Sequence, residues 1–263
     1  MEAILRKERL IVGGCLAVMV LIAWGYLFHT RASMSDMAMP GMDMPGDMSG
    51  MAMAGSQEWG STAVLLLFVM WAVMMVAMMV PSATPMVLAF LGVNRRRQAA
   101  GRQYVPVAVF LAGYLAIWTA YSAVATLAQW GLHKAALLSP AMAATSPFLS
   151  GGLLVAAGIF QWTPLKHMCL KGCRSPFSFL MSEWRDGRAG AFMMGLNHGS
   201  YCVGCCWVLM ALLFVGGVMN LLWVAVIALF VMAEKTLPRG ELVGHVTGVA
   251  LVAAGVGLIA RAW

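Results

Sequence analysis

Seven runs of apolar residues, separated by short loops that carry most of the charge, constrain the fold of this chain. They cover residues 10–28, 61–80, 104–130, 148–162, 190–215, 218–233 and 242–260. A helix rises about 1.5 Å per residue, so a run of about 20 residues crosses the roughly 30 Å of hydrocarbon in a bilayer. Only 10% of the residues are charged, against about a quarter in soluble domains. The sequence therefore predicts an all-α, polytopic transmembrane helix bundle with about seven spans.

The basic residues predict how this bundle is oriented. With a cytoplasmic N-terminus, all of the 17 Lys and Arg residues except Arg31, Lys134 and Arg261 fall on the cytoplasmic side. Cytoplasmic loops carry such an excess, so we expect a periplasmic C-terminus in a bacterial inner membrane. The first run also has the basic flank of a signal peptide, whose cleavage would leave six spans in the same orientation. The net charge of +7 is thus explained by orientation and does not indicate nucleic acid.

A methionine-rich segment follows the first run on the predicted periplasmic side. Its repeated Pro-Gly pairs preclude a regular helix, so we expect a flexible loop over residues 34–60. Thioether sulfur is a soft, uncharged ligand that suits Cu(I) and cannot form disulfides in an oxidising compartment. The segment predicts copper capture; a biased linker or an adhesive Met-rich surface is the alternative. Its methionines are Met34, Met37, Met39, Met42, Met44, Met48, Met51 and Met53.

A stripe of metal-ligand residues lies in the fifth apolar run. At 100° per residue, positions i, i+4, i+7 and i+8 share a face of a helix, near the predicted bilayer centre. Met194 joins the stripe one turn earlier, while Gly195 and Gly199 would let a neighbouring helix approach closely. Polar and ionisable residues at this depth indicate function, although single buried cysteines are also ordinary packing residues. The four members of the stripe are His198, Cys202, Cys205 and Cys206.

A second group, His167, Cys169 and Cys173, falls in the predicted cytoplasmic loop at residues 163–189. Thr163 and Pro164 form an N-cap and first turn, and the resulting helix places Cys169 and Cys173 on one face. The group is an acceptor or second ligand set, or else packing. The sequence leaves open whether it meets the stripe. The single Cys-x-x-Cys of Cys202 and Cys205 does not make a zinc ribbon.

The second apolar run carries a further methionine stripe. Such a stripe is often packing, but here it follows the Met-rich loop, and soft ligands along a membrane path would pass Cu(I) by exchange. A break is expected where Pro81 and Pro85 follow. The residues of this relay are Met70, Met74, Met75, Met78 and Met79.

The chain resembles a family of bacterial predicted metal-binding integral membrane proteins built on a domain of unknown function. The resemblance rests on residues 74–79 with Pro81 and Pro85, and on residues 161–176, 198–207, 216–220 and 234–235. It implies a metal-binding membrane protein without a known reaction. We accordingly divide the chain into an N-terminal span (1–33), the loop (34–60) and a metal-binding-type membrane bundle (61–263).

These features predict a membrane protein that handles copper, by capture, relay or transport of Cu(I), with zinc as the alternative metal. Its expected partners are the lipid bilayer, the metal ion, and a copper chaperone or copper enzyme. One rival function is a thiol–disulfide oxidoreductase that uses Cys202 with Cys205 and Cys169 with Cys173. Another is a structural or assembly subunit. An enzyme is the less favoured class, and the sequence contains no P-loop that would indicate an ATP-driven pump.

Overall fold

The computed structural model describes residues 2–37, 60–139 and 142–263. Apart from an isolated β-bridge between Leu138 and Ala144, the regular structure of these residues is helical. The all-α prediction is therefore confirmed for them. The helices are α1 (Glu2–Met37), α2 (Ser61–Ala99), α3 (Val107–Lys134), α4 (Pro147–Phe160), α5 (Pro164–Arg174), α6 (Pro176–Ser182), α7 (Gly187–Ala211), α8 (Leu213–Gly216), α9 (Leu221–Thr236) and α10 (Gly240–Arg261).

Several of these helices are long and apolar enough to cross a membrane. Within the described residues, α1, α2, α3, α7 together with α8, and α10 meet that condition individually. Helices α4 and α5 meet it only as a pair, which is bent by 65°. Helix α9 has 16 residues and is shorter than the helices that meet the condition individually. The structure thus supports several apolar spans, while the count of seven remains a prediction.

Two sequence-based boundaries of the predicted spans are wrong. Helix α2 runs through Pro81 and Pro85 without the expected break. The hydroxyls of Ser82 and Thr84 donate to backbone carbonyls of the preceding turn, and the buried residues on both sides of the prolines, Met79, Val80, Met86 and Val87, pack the helix into the core despite the lost N–H groups. Helix α1 continues to Met37, so the first residues of the predicted loop are helical. The rest of that loop, residues 38–59, lies outside the described residues.

Glycines allow the helices around α7 to pack closely. A Cβ atom built on Gly195 would lie 3.0 Å from the carbonyl carbon of Phe110 and 3.0 Å from the amide nitrogen of Tyr114. One built on Gly199 would lie 3.2 Å from the Tyr114 carbonyl oxygen. The predicted small-residue face of α7 is therefore confirmed, and α3 is the helix that packs closely against it. Close contact of the two backbones brings the Tyr114 side chain to the centre of α7.

The start of α7 is tied to the end of α2 by a polar contact. Asp186, the residue before α7, accepts hydrogen bonds from the Trp184 indole at 2.9 Å and from the Arg97 guanidinium at 2.7 Å. The hydrogen bond from Trp184 and the one from Arg97 together hold the pKa of the Asp186 carboxyl below its usual value. This contact links the start of α7 to the end of α2 at the surface of the bundle.

Candidate metal centre

The predicted stripe on α7 faces the interior of the bundle. His198, Cys202, Cys205 and Cys206 are each at most 2% exposed. The thiols of Cys205 and Cys206 donate to the Cys202 carbonyl, at 3.1 Å and 2.8 Å. None of the three cysteines forms a disulfide. The helical spacing thus gathers three thiols within one turn of a buried face.

Helix α5 brings part of the second group to this face. The 65° bend after α4 turns α5 against α7, and the sulfur of Cys173 lies 4.0 Å from the sulfur of Cys205. The sulfur of Cys169, which is half-buried, packs on the backbone of Gly204. The two cysteine groups therefore meet, which sequence reasoning had left open.

His167 does not join the thiols. It lies two residues before Cys169, which on a helix is the opposite side of α5. Its ring stacks on the ring of His245 in α10, with the centroids 5.3 Å apart. His167 is thus part of the contact between α5 and α10, and its predicted role as a ligand beside Cys169 and Cys173 has no support from its position.

Two residues that sequence reasoning did not assign to the site contact the sulfur of Cys202. The Lys235 ammonium of α9 lies 2.9 Å from it, and the Tyr114 hydroxyl of α3 lies 3.1 Å from it. Lys235 also donates to the Ser82 hydroxyl at 3.3 Å, and Tyr114 to the Met79 carbonyl at 3.2 Å. Cys202 is thereby linked to three other helices.

Lys235 was predicted to be a cytoplasmic loop charge, and this placement is wrong. It lies in the last turn of α9 and is 8% exposed, because its side chain runs inward to Cys202. A signal was present in the sequence, where Glu234 and Lys235 directly follow a long apolar run. Charges at the edge of such a run were interpreted as loop residues, since the sequence does not show in which direction a long side chain extends.

Lys166 was also counted as a loop charge, and it too is buried. Its ammonium lies 2.7 Å and 2.8 Å from the two carboxylate oxygens of Glu234, and it donates to the side-chain oxygen of Gln161. Gly244 of α10 covers this ion pair. The pair joins α5 to α9, so it holds the helix of Cys173 beside the helix of Lys235.

The imidazole of His198 lies among aromatic rings. Its centroid is 5.6 Å from those of Tyr114 and Phe179 and 6.1 Å from that of Phe110. In the described part of the chain, its Nδ1 atom has no hydrogen-bond partner. A buried polar atom without a partner is costly, so this nitrogen is suited to an incoming ligand.

The methionine predictions have different outcomes. Met194 packs in an apolar cluster with Phe110 and Phe179, and its ligand role stays a prediction. Of the periplasmic capture set, Met34 and Met37 belong to α1 by their backbone, and the six others lie outside the described residues. The relay candidates all lie in the apolar core that includes the thiols: Met70, Met74, Met75, Met78 and Met79.

The side chains do not form a finished metal site. Among the described residues, no three His, Cys, Asp or Glu side chains are already arranged around a common point as ligands. What the structure provides is a buried pair of sulfurs, with Cys202 one turn away and an unpartnered imidazole nitrogen on the same face. Soft thiolate ligands of this kind are suited to Cu(I).

Comparison with known proteins gives the family. Residues 68–258 match the PpoB2 family, described as copper chaperone. The chain belongs to this copper chaperone family. The match contains every thiol and histidine of the α5–α7 cluster, and it leaves out α1 and the Met-rich segment. No curated protein and no solved structure matches the chain. Membership supports the predicted handling of copper.

Proposed function

We propose that this member of the copper chaperone family is an integral protein of the bacterial inner membrane that holds Cu(I) between α5 and α7 for delivery to a copper enzyme. The contact between Cys173 and Cys205 carries the proposal, because it joins thiols from two separate helices in a buried place. The cargo ion is then bound by Cys202, Cys205 and Cys173, with His198 and Cys206 as the nearest additional ligands.

The distance between the sulfurs suits a shared ion. Metal–sulfur bonds of about 2.3 Å let two sulfurs 4.0 Å apart bind one ion, with an angle of about 120° at the metal. That angle leaves room for a third ligand in the same plane. Cys202 and the His198 nitrogen are the candidates, since both lie on the face of α7 that carries Cys205. Small rotations of these side chains would complete a trigonal site.

Burial strengthens the case for a monovalent soft ion. A free thiolate is costly in an apolar interior, but a bound metal deprotonates the thiol and cancels much of its charge. The same burial protects the thiols from soluble oxidants. Cu(I) prefers sulfur to the water and carboxylate oxygens that it would meet elsewhere, so the site and the ion stabilise each other.

The membrane assignment rests on the long apolar helices and on the distribution of the basic residues. We place the N-terminus in the cytoplasm and the C-terminus in the periplasm, with α9 and the bent pair α4–α5 completing seven spans. Burial of Lys166 and Lys235 removes two residues from the cytoplasmic count, and the remaining bias keeps its sign. The Met-rich segment at residues 34–53 then captures Cu(I), and the buried methionines of α2 form a soft route toward the thiols.

A double substitution tests the site. Cys202→Ser with Cys205→Ser keeps side-chain size but replaces soft sulfur with hard oxygen. We expect the purified, reduced protein to lose its bound copper while retaining its helical circular dichroism. Cys15→Ser is the matched control, because Cys15 is exposed on α1 and is not among the residues proposed to bind the ion. Full copper content in the double variant would overturn the assignment.

One observation favours a second candidate, a thiol–disulfide oxidoreductase. Cys173 and Cys205 are near enough to form a disulfide after a small movement, although the sequence had suggested other pairs. The two functions separate in one measurement of metal content and thiol number. Copper bound to a fully reduced protein supports the chaperone. A metal-free protein in which Cys173 and Cys205 cycle between thiols and a disulfide supports the oxidoreductase, and a protein with neither property would contradict both functions.

A further inference from the structure

Met142 has a backbone conformation that methionine rarely adopts. Its φ is 58°, in the left-handed region that Gly and Asn occupy at lower cost. The turn around it is closed by hydrogen bonds from the Met142 amide to the Ser139 carbonyl at 2.8 Å and from the Ala144 amide to the Phe214 carbonyl at 2.7 Å. Backbone strain of this kind persists only where the surrounding structure holds it, and it is concentrated at functional sites. A residue held at this cost is expected to contribute a specific side chain.

A buried chain of hydrogen bonds orients the sulfur of Met142. The Trp71 indole donates to the side-chain oxygen of Gln129 at 2.6 Å, and the Gln129 amide nitrogen donates to the Met142 sulfur at 3.0 Å. Trp71 and Gln129 are both fully buried. A thioether is a weak acceptor, and the second lone pair of its sulfur stays free for another partner. The chain thus holds a soft, uncharged ligand in place, as the outer hydrogen bonds of metal sites do.

A second methionine lies beside Met142 on a neighbouring loop. The amide of Val218 donates to the Met142 carbonyl at 3.4 Å, so Met219, the next residue, is adjacent to the turn. Met142 and Met219 are both half-buried, and both pack on the apolar core that contains Met70. Each is therefore accessible to water on one side and in contact with the interior on the other. The proposed topology puts this end of the bundle in the periplasm, as it does the Met-rich segment.

We infer that Met142 and Met219 form an entry site for Cu(I) on the periplasmic side, an inference that rests on the proposed copper function. A thioether has no charge and no proton to lose, so it binds a soft monovalent ion and releases it again by ligand exchange. Divalent ions that prefer imidazole or oxygen ligands have little affinity for two neutral thioethers. Met70 of α2, which shares the apolar core, is the next soft ligand toward the thiols. The site links ions captured outside the bundle to the buried methionines of α2.

The methyl groups of the methionines report binding directly. The purified full chain, isotope-labelled at these methyl groups, is titrated in detergent with Cu(I) under anaerobic, reducing conditions and followed by NMR. The signals of Met142 and Met219, assigned from Met142→Leu and Met219→Leu, should shift together. Met181 is the matched control, because it is 82% exposed on α6 and its signal should not move.

Removing one sulfur should disable the pair. Met142→Leu keeps the apolar packing, and we expect it to abolish the Met219 shift and to slow copper loading at limiting supply by about tenfold. Final copper content at saturating Cu(I) should be unchanged, because the thiols are retained. Met142→Asn is a second variant, since Asn tolerates the left-handed backbone and offers no sulfur. It decides the question if Met142→Leu does not fold, and Met181→Leu should load as fast as the unsubstituted chain.

The outcomes separate this site from the proposed function. If the Met142 and Met219 signals stay fixed while the thiols bind Cu(I), the entry site is wrong. Loading of Met142→Leu and Met142→Asn at the unsubstituted rate, or a Met219 shift that survives in Met142→Leu, would equally overturn it. If both signals shift but Cys202→Ser with Cys205→Ser leaves the copper content unchanged, the proposed thiol site fails and the entry site stands.

Discussion

Lys166 of α5 and Glu234 of α9 form an ion pair inside the bundle, with both side chains at most 3% exposed. The pair connects the helix that supplies Cys173 to the helix that supplies Lys235. A buried pair of this kind contributes little net stability when intact, but losing one partner leaves an uncompensated charge. Its structural role is to fix the position of the short helix α5, which the 65° bend has turned against α7.

Glu234→Gln should destabilise the protein, because the Lys166 ammonium would remain buried without its carboxylate. We expect a loss of about 3–5 kcal/mol, visible as a lower midpoint of thermal unfolding in detergent. Glu241→Gln is the control, since Glu241 is exposed and its contact with Arg174 is weak, with 3.9 Å between the charged atoms. That change should move stability by less than about 0.5 kcal/mol. Equal midpoints for the two variants would show that the buried pair is not a constraint on α5.

Gly195→Ala should separate α3 from α7. The added methyl group would meet the backbone of Phe110 and Tyr114, and relief of that clash costs about 1–3 kcal/mol. Movement of Tyr114 would also take its hydroxyl away from Cys202, so copper affinity should fall together with stability. Gly131→Ala on α3 has open space around it and should be neutral or slightly stabilising. Thermal unfolding and copper titration of both variants make the comparison, and an unaffected Gly195→Ala protein would contradict the close packing.

Replacing the eight methionines of residues 34–53 with serine should reduce copper loading when copper is scarce. The segment precedes the family match and supplies soft ligands outside the buried cluster. At saturating Cu(I) the loading should equal that of the unsubstituted chain, because the thiols of α5 and α7 are retained. Copper content measured over a range of copper concentrations distinguishes capture by the Met-rich segment from binding by the thiols. Identical loading at every supply would make the segment a linker.

The predicted topology can be tested with single cysteines introduced into a chain without native cysteines. A cysteine at Arg102, in the loop after α2, should react with a membrane-impermeant reagent only after the cells are opened. One at Trp263 should react in intact cells once the reagent has entered the periplasm. Arg102 and Trp263 are both exposed, so differences in burial do not confound the result. Labelling of both positions from the same side would overturn the orientation or the count of seven spans.

The sequence predicted the helices and the stripe on α7 because both follow from local periodicity. Helical spacing alone put His198 and the three cysteines on one face, and the structure confirms that face as buried. The meeting of Cys173 with Cys205 was not predictable, since it depends on the bend between α4 and α5 and on packing of residues distant in sequence. Lys235 was misplaced for a related reason, because a flexible lysine at the edge of a run can extend toward the loop or toward the core.

The burial of the cluster has a kinetic consequence. Cys202, Cys205 and Cys206 are at most 2% exposed, so an acceptor cannot reach an ion held there until the helices separate locally. The rate of handover to an excess of acceptor should then level off at the opening rate of the protein and become independent of acceptor concentration. The residence time of the ion would then be set by how often α5 separates from α7, and an ion bound to sulfurs of both helices would itself slow that separation.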